Sequence, residues 1–337
     1  VSSKAKLYRK KNGEIVCYLC WNRCLIAESD FGYCNVRYNE NGLLKTLTYG
    51  NISAMESRPV EIKPFFHFLP GTTSITFSTY SCNLNCPWCQ NWHLSKRPPP
   101  VEFDQISPKK IVEVAIKNGD ESTCASFNEP TLLFEFLLDL FPLAKENNLK
   151  NTIVSNGYMT PKALKMLIDS GLDAANFDIK GDDQVYAEIS KGKSEYIWRN
   201  ARFARKKGIH VEMVSLLSPP IYKNPEVIDE VIENHLKYLD AEVPIHFTRY
   251  FPAHLTKDPS TPIRLLEGAV IKARKAGISY VYIGNVPHRF ENTFCPDCGA
   301  ILIIRRGFSS VENRLIVRNG MARCYRCGRK ISGIFKI

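Results

Sequence analysis

Ser81-Cys82-Asn83-Leu84-Asn85-Cys86-Pro87-Trp88-Cys89 follows directly on the apolar, β-branched run Ser74–Thr79. Its cysteines stand in C-x3-C-x2-C spacing. Three thiolates on one short loop can hold three irons of a 4Fe–4S cluster, which ordinarily takes four Cys ligands. The fourth iron then lacks a protein ligand, and an open position is what metal catalysis requires. By spacing alone the loop also suits a zinc ion completed by a distant His or Cys. Its place after the first strand of a repeating strand–helix array favours the cluster.

That array occupies the middle of the chain. Apolar runs predict strands at Ser74–Thr79, Ser122–Phe127, Asn151–Val154, Asp173–Ile179, Ile209–Leu216, Ile245–Tyr250 and Ser279–Ile283, with helical patterns between them. Ser107-Pro108, Thr160-Pro161 and Asn224-Pro225 each set a capping side chain before a Pro at the first helical position. Gly119, Gly171, Gly208 and Gly277 end helices just before the next strand. The alternation predicts an α/β fold with parallel pairing and right-handed crossovers. Six or seven units fit a full or partial barrel or an open doubly wound sheet. In each case the active site lies at the carboxyl ends of the strands.

Those ends carry polar groups. Phe127-Asn128-Glu129-Pro130 ends the second strand, Ser155-Asn156-Gly157 the third and Asp178-Ile179-Lys180-Gly181 the fourth. Arg249 to His254 and Ile283-Gly284-Asn285-Val286-Pro287 lie at later ends. Each has a bland reading: a helix cap at Asn128 or Thr131, a turn at Gly157, a surface ion pair between Asp178 and Lys180, a solvated His254.

The triplet, with Trp88 as the aromatic residue before its last cysteine, resembles the radical S-adenosylmethionine (SAM) superfamily over roughly residues 72–290. That resemblance implies a partial (β/α)6-type TIM barrel. It implies that the open iron of the Cys82/Cys86/Cys89 cluster chelates the amino and carboxylate groups of SAM. An electron then cleaves the sulfonium, and the 5′-deoxyadenosyl radical removes hydrogen from a substrate. It further implies that Trp88, Glu129, Ser155, Asn156 and Gly284 bind the cofactor. Glu129 would hold the SAM ammonium, although the two glycines the family usually has before that Glu are Phe127 and Asn128 here. Ser155 and Asn156 would meet its ribose or carboxylate, and Gly284 would let adenine approach the backbone. Asp178 and Lys180 resemble the Asp-Leu-Lys element of glycyl-radical-enzyme activases and are the candidate catalytic pair.

A closer resemblance covers more of the chain. Tyr49-Gly50, Pro59 to Pro64, His67 to Gly71, Gln90-Asn91-Trp92, Asn128-Glu129-Pro130-Thr131 and the segment from Cys17 to Arg37 look like the radical SAM enzyme of the AmmeMemoRadiSam system. That branch is similar to the pyruvate formate-lyase activating enzyme. The resemblance implies an oxidoreductase with an electron donor such as ferredoxin or flavodoxin but does not carry over a substrate; the activase-like strand ends and the lack of a small-molecule signature point to a macromolecular one.

Two cysteine modules flank the array. Cys295-Pro296-Asp297-Cys298-Gly299 and Cys324-Tyr325-Arg326-Cys327-Gly328 are C-x2-C-G knuckles with strand-like pieces between them. They predict a zinc ribbon, a closed four-thiolate site. Cys17, Cys20, Cys24 and Cys34 form a less standard set that suits either a second Fe–S cluster or a zinc ion. Cys124, alone on a strand, reads as a small buried residue. The expected parts are thus a Cys-rich N-terminal lobe (1–71), the core (72–290) and the ribbon (291–337).

The chain has 337 residues and a formal charge of +11. Residues 291–337 hold 9 Lys/Arg against 3 Asp/Glu, and residues 1–70 hold 10 against 6, so the excess lies in the flanks. Metals deprotonate their thiols, which reduces the net charge to roughly +6. The ribbon arginines, Arg305, Arg306, Arg314, Arg318, Arg323, Arg326 and Arg329, keep RNA possible as a partner. Paired metal-ligand cysteines in so long a chain point to a reduced, cytoplasmic metalloprotein rather than a disulfide scaffold. No signal peptide or membrane span is expected: the most apolar stretch, Leu132 to Phe141, is interrupted by Glu135 and Asp139. The alternatives to a radical enzyme acting on protein are an RNA-modifying radical enzyme and a non-enzymatic metal-stabilised binding module.

Overall fold

The computed structural model describes residues 2–190 and 192–336. Its centre is an eight-stranded sheet. Seven strands are parallel neighbours in chain order: Thr73–Ser78, Ser122–Ala125, Lys150–Ser155, Ala174–Ile179, His210–Leu217, Ile245–Arg249 and Val281–Gly284. All seven expected strands are present, with ends moved by at most two residues. The order runs without a reversal, which excludes the doubly wound sheet, whose strand order turns back on itself. Parallel strands covered on both faces read as continuous apolar runs. Accordingly every residue of Ser122–Ala125, and all but one of Ala174–Ile179, is buried.

An eighth strand, Ala54–Pro59, pairs antiparallel with Thr73–Ser78 at the sheet's edge. The boundary expected at residue 71 therefore falls between two hydrogen-bonded strands. Ser107 and Thr160 cap their helices as expected, accepting from Lys110 N and Ala163 N. Asn224 does not: Pro225 is the residue before helix Glu226–Tyr238, and the Asn224 amide donates instead to Pro220 O at 2.8 Å. The asparagine stays with the preceding short helix because its amide finds a carbonyl there.

The N-terminal segment forms two three-stranded sheets, and the C-terminal segment two more. Among the described residues no helix is long and apolar enough to cross a membrane. One buried carboxylate ties several of these parts together. Glu212, fully buried on strand His210–Leu217, accepts from His67 N at 2.8 Å and Phe66 N at 3.1 Å. Its oxygens also lie 3.0 Å from His210 Nε2 and 2.7 Å from His246 Nε2. Burial alone would raise its pKa, but these donors outweigh it and hold the carboxyl well below the usual range.

His67 extends the network. Its Nδ1 lies 2.6 Å from Ser332 O, so it carries the proton, and its Nε2 lies 2.6 Å from the Tyr282 hydroxyl. Burial lowers the His67 pKa to about 4. Between pH ~6.5 and ~4 the unfolded chain takes up a proton that the folded one refuses, so stability falls as pH drops through that window. The expected loss is about 3 kcal/mol. Urea unfolding at stepped pH should show it, and His67→Gln should flatten the slope; an unchanged slope in the variant would exclude His67 as the source.

Candidate functional site

The cysteine triplet sits in the loop after strand Thr73–Ser78, at the carboxyl end of the sheet. The loop is held from several sides. Asn128 Nδ2 donates to Ser81 O at 2.8 Å and its Oδ1 accepts from Thr79 N at 3.3 Å. Asn85 N donates to Ile189 O at 2.9 Å and Leu255 N to Pro87 O at 3.0 Å. Ser81 and Phe127 both take positive φ, 68° and 67°. Phe127 thus adopts, at a side chain's steric cost, the conformation a glycine would take freely. The Lys63 ammonium sits 3.8 Å above the Phe127 ring.

All three thiols face one cavity of ≈ 430 Å³. Its walls include Trp88, Glu129, Ser155, Asn156, Asp178 and Lys180. Five polar side chains from three strand ends thus converge on the thiols of a fourth, as the strand-end rule requires. Burial pushes the Cys82 and Cys86 thiols up, Cys86 to about 11, so a bound metal is what would ionise them. Leu84 N lies 3.4 Å from Cys82 Sγ and is placed to donate to it.

Glu129 is buried and caps the turn Pro130–Leu133 through Thr131 N at 2.9 Å; neither Asn128 nor Thr131 is the cap. Its Oε1 takes three donors: Thr131 N, the Thr131 hydroxyl and Ser155 Oγ. Among the described residues its Oε2 takes only Asn156 N, at 2.9 Å, which leaves an acceptor site open. Burial nevertheless raises its pKa, so a cation beside Oε2 would favour the ionised form.

Ser155 and Asn156 do not present free side chains. The Ser155 hydroxyl donates to Glu129 at 2.8 Å and accepts from Gly157 N at 3.0 Å. The Asn156 amide donates to Asn83 Oδ1 at 2.8 Å and accepts from Tyr158 N at 3.0 Å. In this arrangement both orient Glu129 and the triplet loop. Gly284 is not in the wall of this cavity; its neighbour Asn285 is. Gly284 borders a second cavity of ≈ 290 Å³, and a Cβ there would meet Thr248 Cγ2 at 2.8 Å. Close strand packing explains that glycine.

Asp178 and Lys180 pair at 2.5 Å in the cavity wall, not on the open surface. Burial alone would lower the Lys180 pKa, but Asp178 and then the Cys86 thiol outweigh it and keep the ammonium charged. Asp178 Oδ1 and Asn176 Oδ1 are buried without a partner among the described residues. Asn285 and Lys63, quoted above only as parts of longer runs, also line the cavity, as do Asn176 and Thr248, which the sequence did not single out. Asn176 had a signal: it is a polar residue in an apolar strand, two positions before Asp178 and so on the same face. His254 instead stacks on Trp92 at 5.6 Å, away from the cavity wall.

In the ribbon, Cys295, Cys298, Cys324 and Cys327 bring their Sγ atoms within 4.8 Å of one another. Cys295–Cys327 and Cys298–Cys324 are 3.5 and 3.7 Å apart, close to the ~3.8 Å that four 2.3 Å bonds to one tetrahedral ion require. The basic face expected on the ribbon is smaller than the sequence suggests. Arg305 is buried, donating to Phe66 O at 2.7 Å and Thr293 Oγ1 at 2.8 Å. Arg314 pairs with Glu312, and Arg329 with Glu242 and Asp297. Cys124 is buried on its strand, as expected.

A parallel sheet in sequential order, with an incomplete thiol set after its first parallel strand, defines a class of α/β metalloenzyme. The chain belongs to the radical SAM superfamily, whose description matches residues 76–245. The superfamily's members are enzymes that use a 4Fe–4S cluster and SAM. Over nearly its full length the chain is similar to a Methanocaldococcus jannaschii protein described as uncharacterized protein MJ0808: 38% identity over 332 residues, 97% of this chain and 98% of that one. Among solved structures it is similar to SuiB of Streptococcus suis bound to S-adenosylmethionine, with a TM-score of 0.51 at 16% identity, covering 70% of this chain and 56% of that one. A radical SAM methyltransferase from Sphaerobacter thermophilus gives a TM-score of 0.51 at 12% identity, covering 64% and 67%. At these identities the structural likeness concerns the fold.

The residues present fit the cluster and SAM. Three thiols, with no fourth Cys and no His among the described lining residues, share a cavity with an open carboxylate oxygen and two unpartnered acceptors.

Proposed function

We propose that the chain removes hydrogen from a protein or other macromolecular substrate, in the manner of an activase. The observation that carries this is the convergence of Cys82, Cys86, Cys89, Glu129, Asp178 and Lys180 on one cavity. The cluster and SAM together supply reductive cleavage of the sulfonium and a carbon-centred radical. Cys82, Cys86 and Cys89 would hold three irons and leave the fourth free for SAM. Glu129 Oε2 would accept from the SAM ammonium by a charge-assisted bond, with Ser155 and Asn156 keeping the carboxylate in place. Trp88 would form an apolar wall, and Asp178 and Lys180 would orient the substrate. With the right-handed crossovers usual for parallel units, the sequential strand order would place the helices on one face, so the sheet is read as a partial barrel. Zinc is the ion that suits the ribbon's four gathered thiols.

The second cavity supports a large substrate. It shares Ile62, Pro64, Thr248 and Asn285 with the first and is bordered by the half-exposed Phe308 of the ribbon. This gives a bulky molecule a way in beside the ribbon. The test is anaerobic: with dithionite and SAM the protein should release 5′-deoxyadenosine, and deuterium from a labelled protein substrate should appear in it. Release of 5′-deoxyadenosine with deuterium drawn only from labelled RNA would overturn the protein-substrate reading. No release at all would overturn the radical reading.

A further inference from the structure

Cys17, Cys20, Cys24 and Cys34 take no part in the cavity just described. They surround a separate space walled by Leu19, Ile26 and Leu132, and among the described residues no His, Asp or Glu lines it. A metal there would have thiolate ligands only. The backbone is fitted around these sulfurs. Cys17 N donates to Cys24 O at 2.9 Å, and Tyr33 N lies 3.3 Å from Cys24 Sγ. A Cβ on Gly32 would sit 3.5 Å from that same Sγ and 3.2 Å from Ile26 Cδ1. The Arg37 guanidinium lies 3.9 Å from Cys17 Sγ while bound bidentately by Glu135 at 2.6 and 2.7 Å. N–H groups and cations directed at sulfur stabilise anionic clusters.

The spread of the thiols separates a cluster from a single ion. Among the described residues only the four C-terminal thiols lie all within 4.8 Å of one another, close enough to meet on one tetrahedral ion. Neither the N-terminal set nor the Cys82/Cys86/Cys89 triplet is gathered so closely. Two hydrogen-bonded bridges then join the two loops. Ser81, the neighbour of Cys82, donates its hydroxyl to Cys34 O. Asn22, between Cys20 and Cys24, donates to Asn83 O at 2.8 Å.

We propose that Cys17, Cys20, Cys24 and Cys34 hold a second 4Fe–4S cluster, seated beside the first and bridged to its loop through Ser81 and Asn22. The site itself does not depend on the activity proposed above, because its ligands are a separate set. Metal analysis of the full chain, reconstituted anaerobically with iron and sulfide, tests it. About eight irons and one zinc per chain are expected in the native protein, and about four irons in either Cys82/Cys86/Cys89→Ala or Cys20/Cys24→Ala. In the reduced native protein the paramagnetic signals of the two clusters should broaden each other, and each variant should give one unbroadened signal. Two zincs per chain, and no iron left in the triplet variant, would overturn the proposal. Failure of the triplet reading is distinct: the native protein and the triplet variant would then hold equal iron. Unbroadened signals in the native protein would overturn the adjacency.

Discussion

Joint replacement of Cys82, Cys86 and Cys89 by Ala is expected to lower 5′-deoxyadenosine formation from SAM to the level of a protein-free blank. Alanine is the informative substitution because a serine alkoxide can still ligate iron. The cause is loss of the ligands, not of the loop. Ser81 O remains bonded to Asn128, Asn85 N to Ile189 O and Leu255 N to Pro87 O. The variant should therefore fold, keep its ribbon ion and lose about four irons per chain. Circular dichroism and metal content provide the controls, and liquid chromatography of the nucleoside the readout. Normal cleavage of SAM by the folded variant would remove the triplet from the mechanism.

Glu212→Leu is expected to cost about 3–5 kcal/mol of stability, the usual price of stripping the partner from a buried charged network. Two backbone amides, at Phe66 and His67, and two imidazoles, at His210 and His246, would lose their acceptor at once. Leucine fills much of the volume, so the loss reports the polar contacts rather than a cavity. In a chain of this size the midpoint of thermal unfolding should fall by about 4–7 °C. Glu212→Gln keeps one accepting oxygen and should lose less. A midpoint unchanged in Glu212→Leu would show that segment 61–71 docks without the carboxylate. Because Ile62 and Pro64 of that segment line both cavities, SAM affinity should weaken along with stability.

Glu212 could not be read from the sequence. It looked like one more charge in a strand. His210 is two positions away on the same strand, but the other three partners, His246, His67 and Phe66, lie 34 to 146 positions away. Ser155 and Asn156 were found, but their orientation was not: each side chain has a partner within the protein that only folding supplies. Arg305 looked like a surface charge because its neighbours are basic, yet it lies beneath the ribbon on the Phe66 ring, 4.0 Å from its centre. Gly284 was placed correctly at a strand end and differently in space, against Thr248 rather than in the first cavity.

The amino-acid sequence alone determined what depends on near neighbours. The C-x3-C-x2-C loop, the C-x2-C-G knuckles, the alternation of strand and helix, and the caps at Ser107 and Thr160 are local, because covalent spacing fixes which groups can meet within a few residues. Tertiary structure decided which strand ends share a cavity, which carboxylate oxygen stays open at Glu129 and which charges are buried. Those outcomes depend on strand order and register, set by contacts between residues far apart in the chain, and no local spacing encodes them.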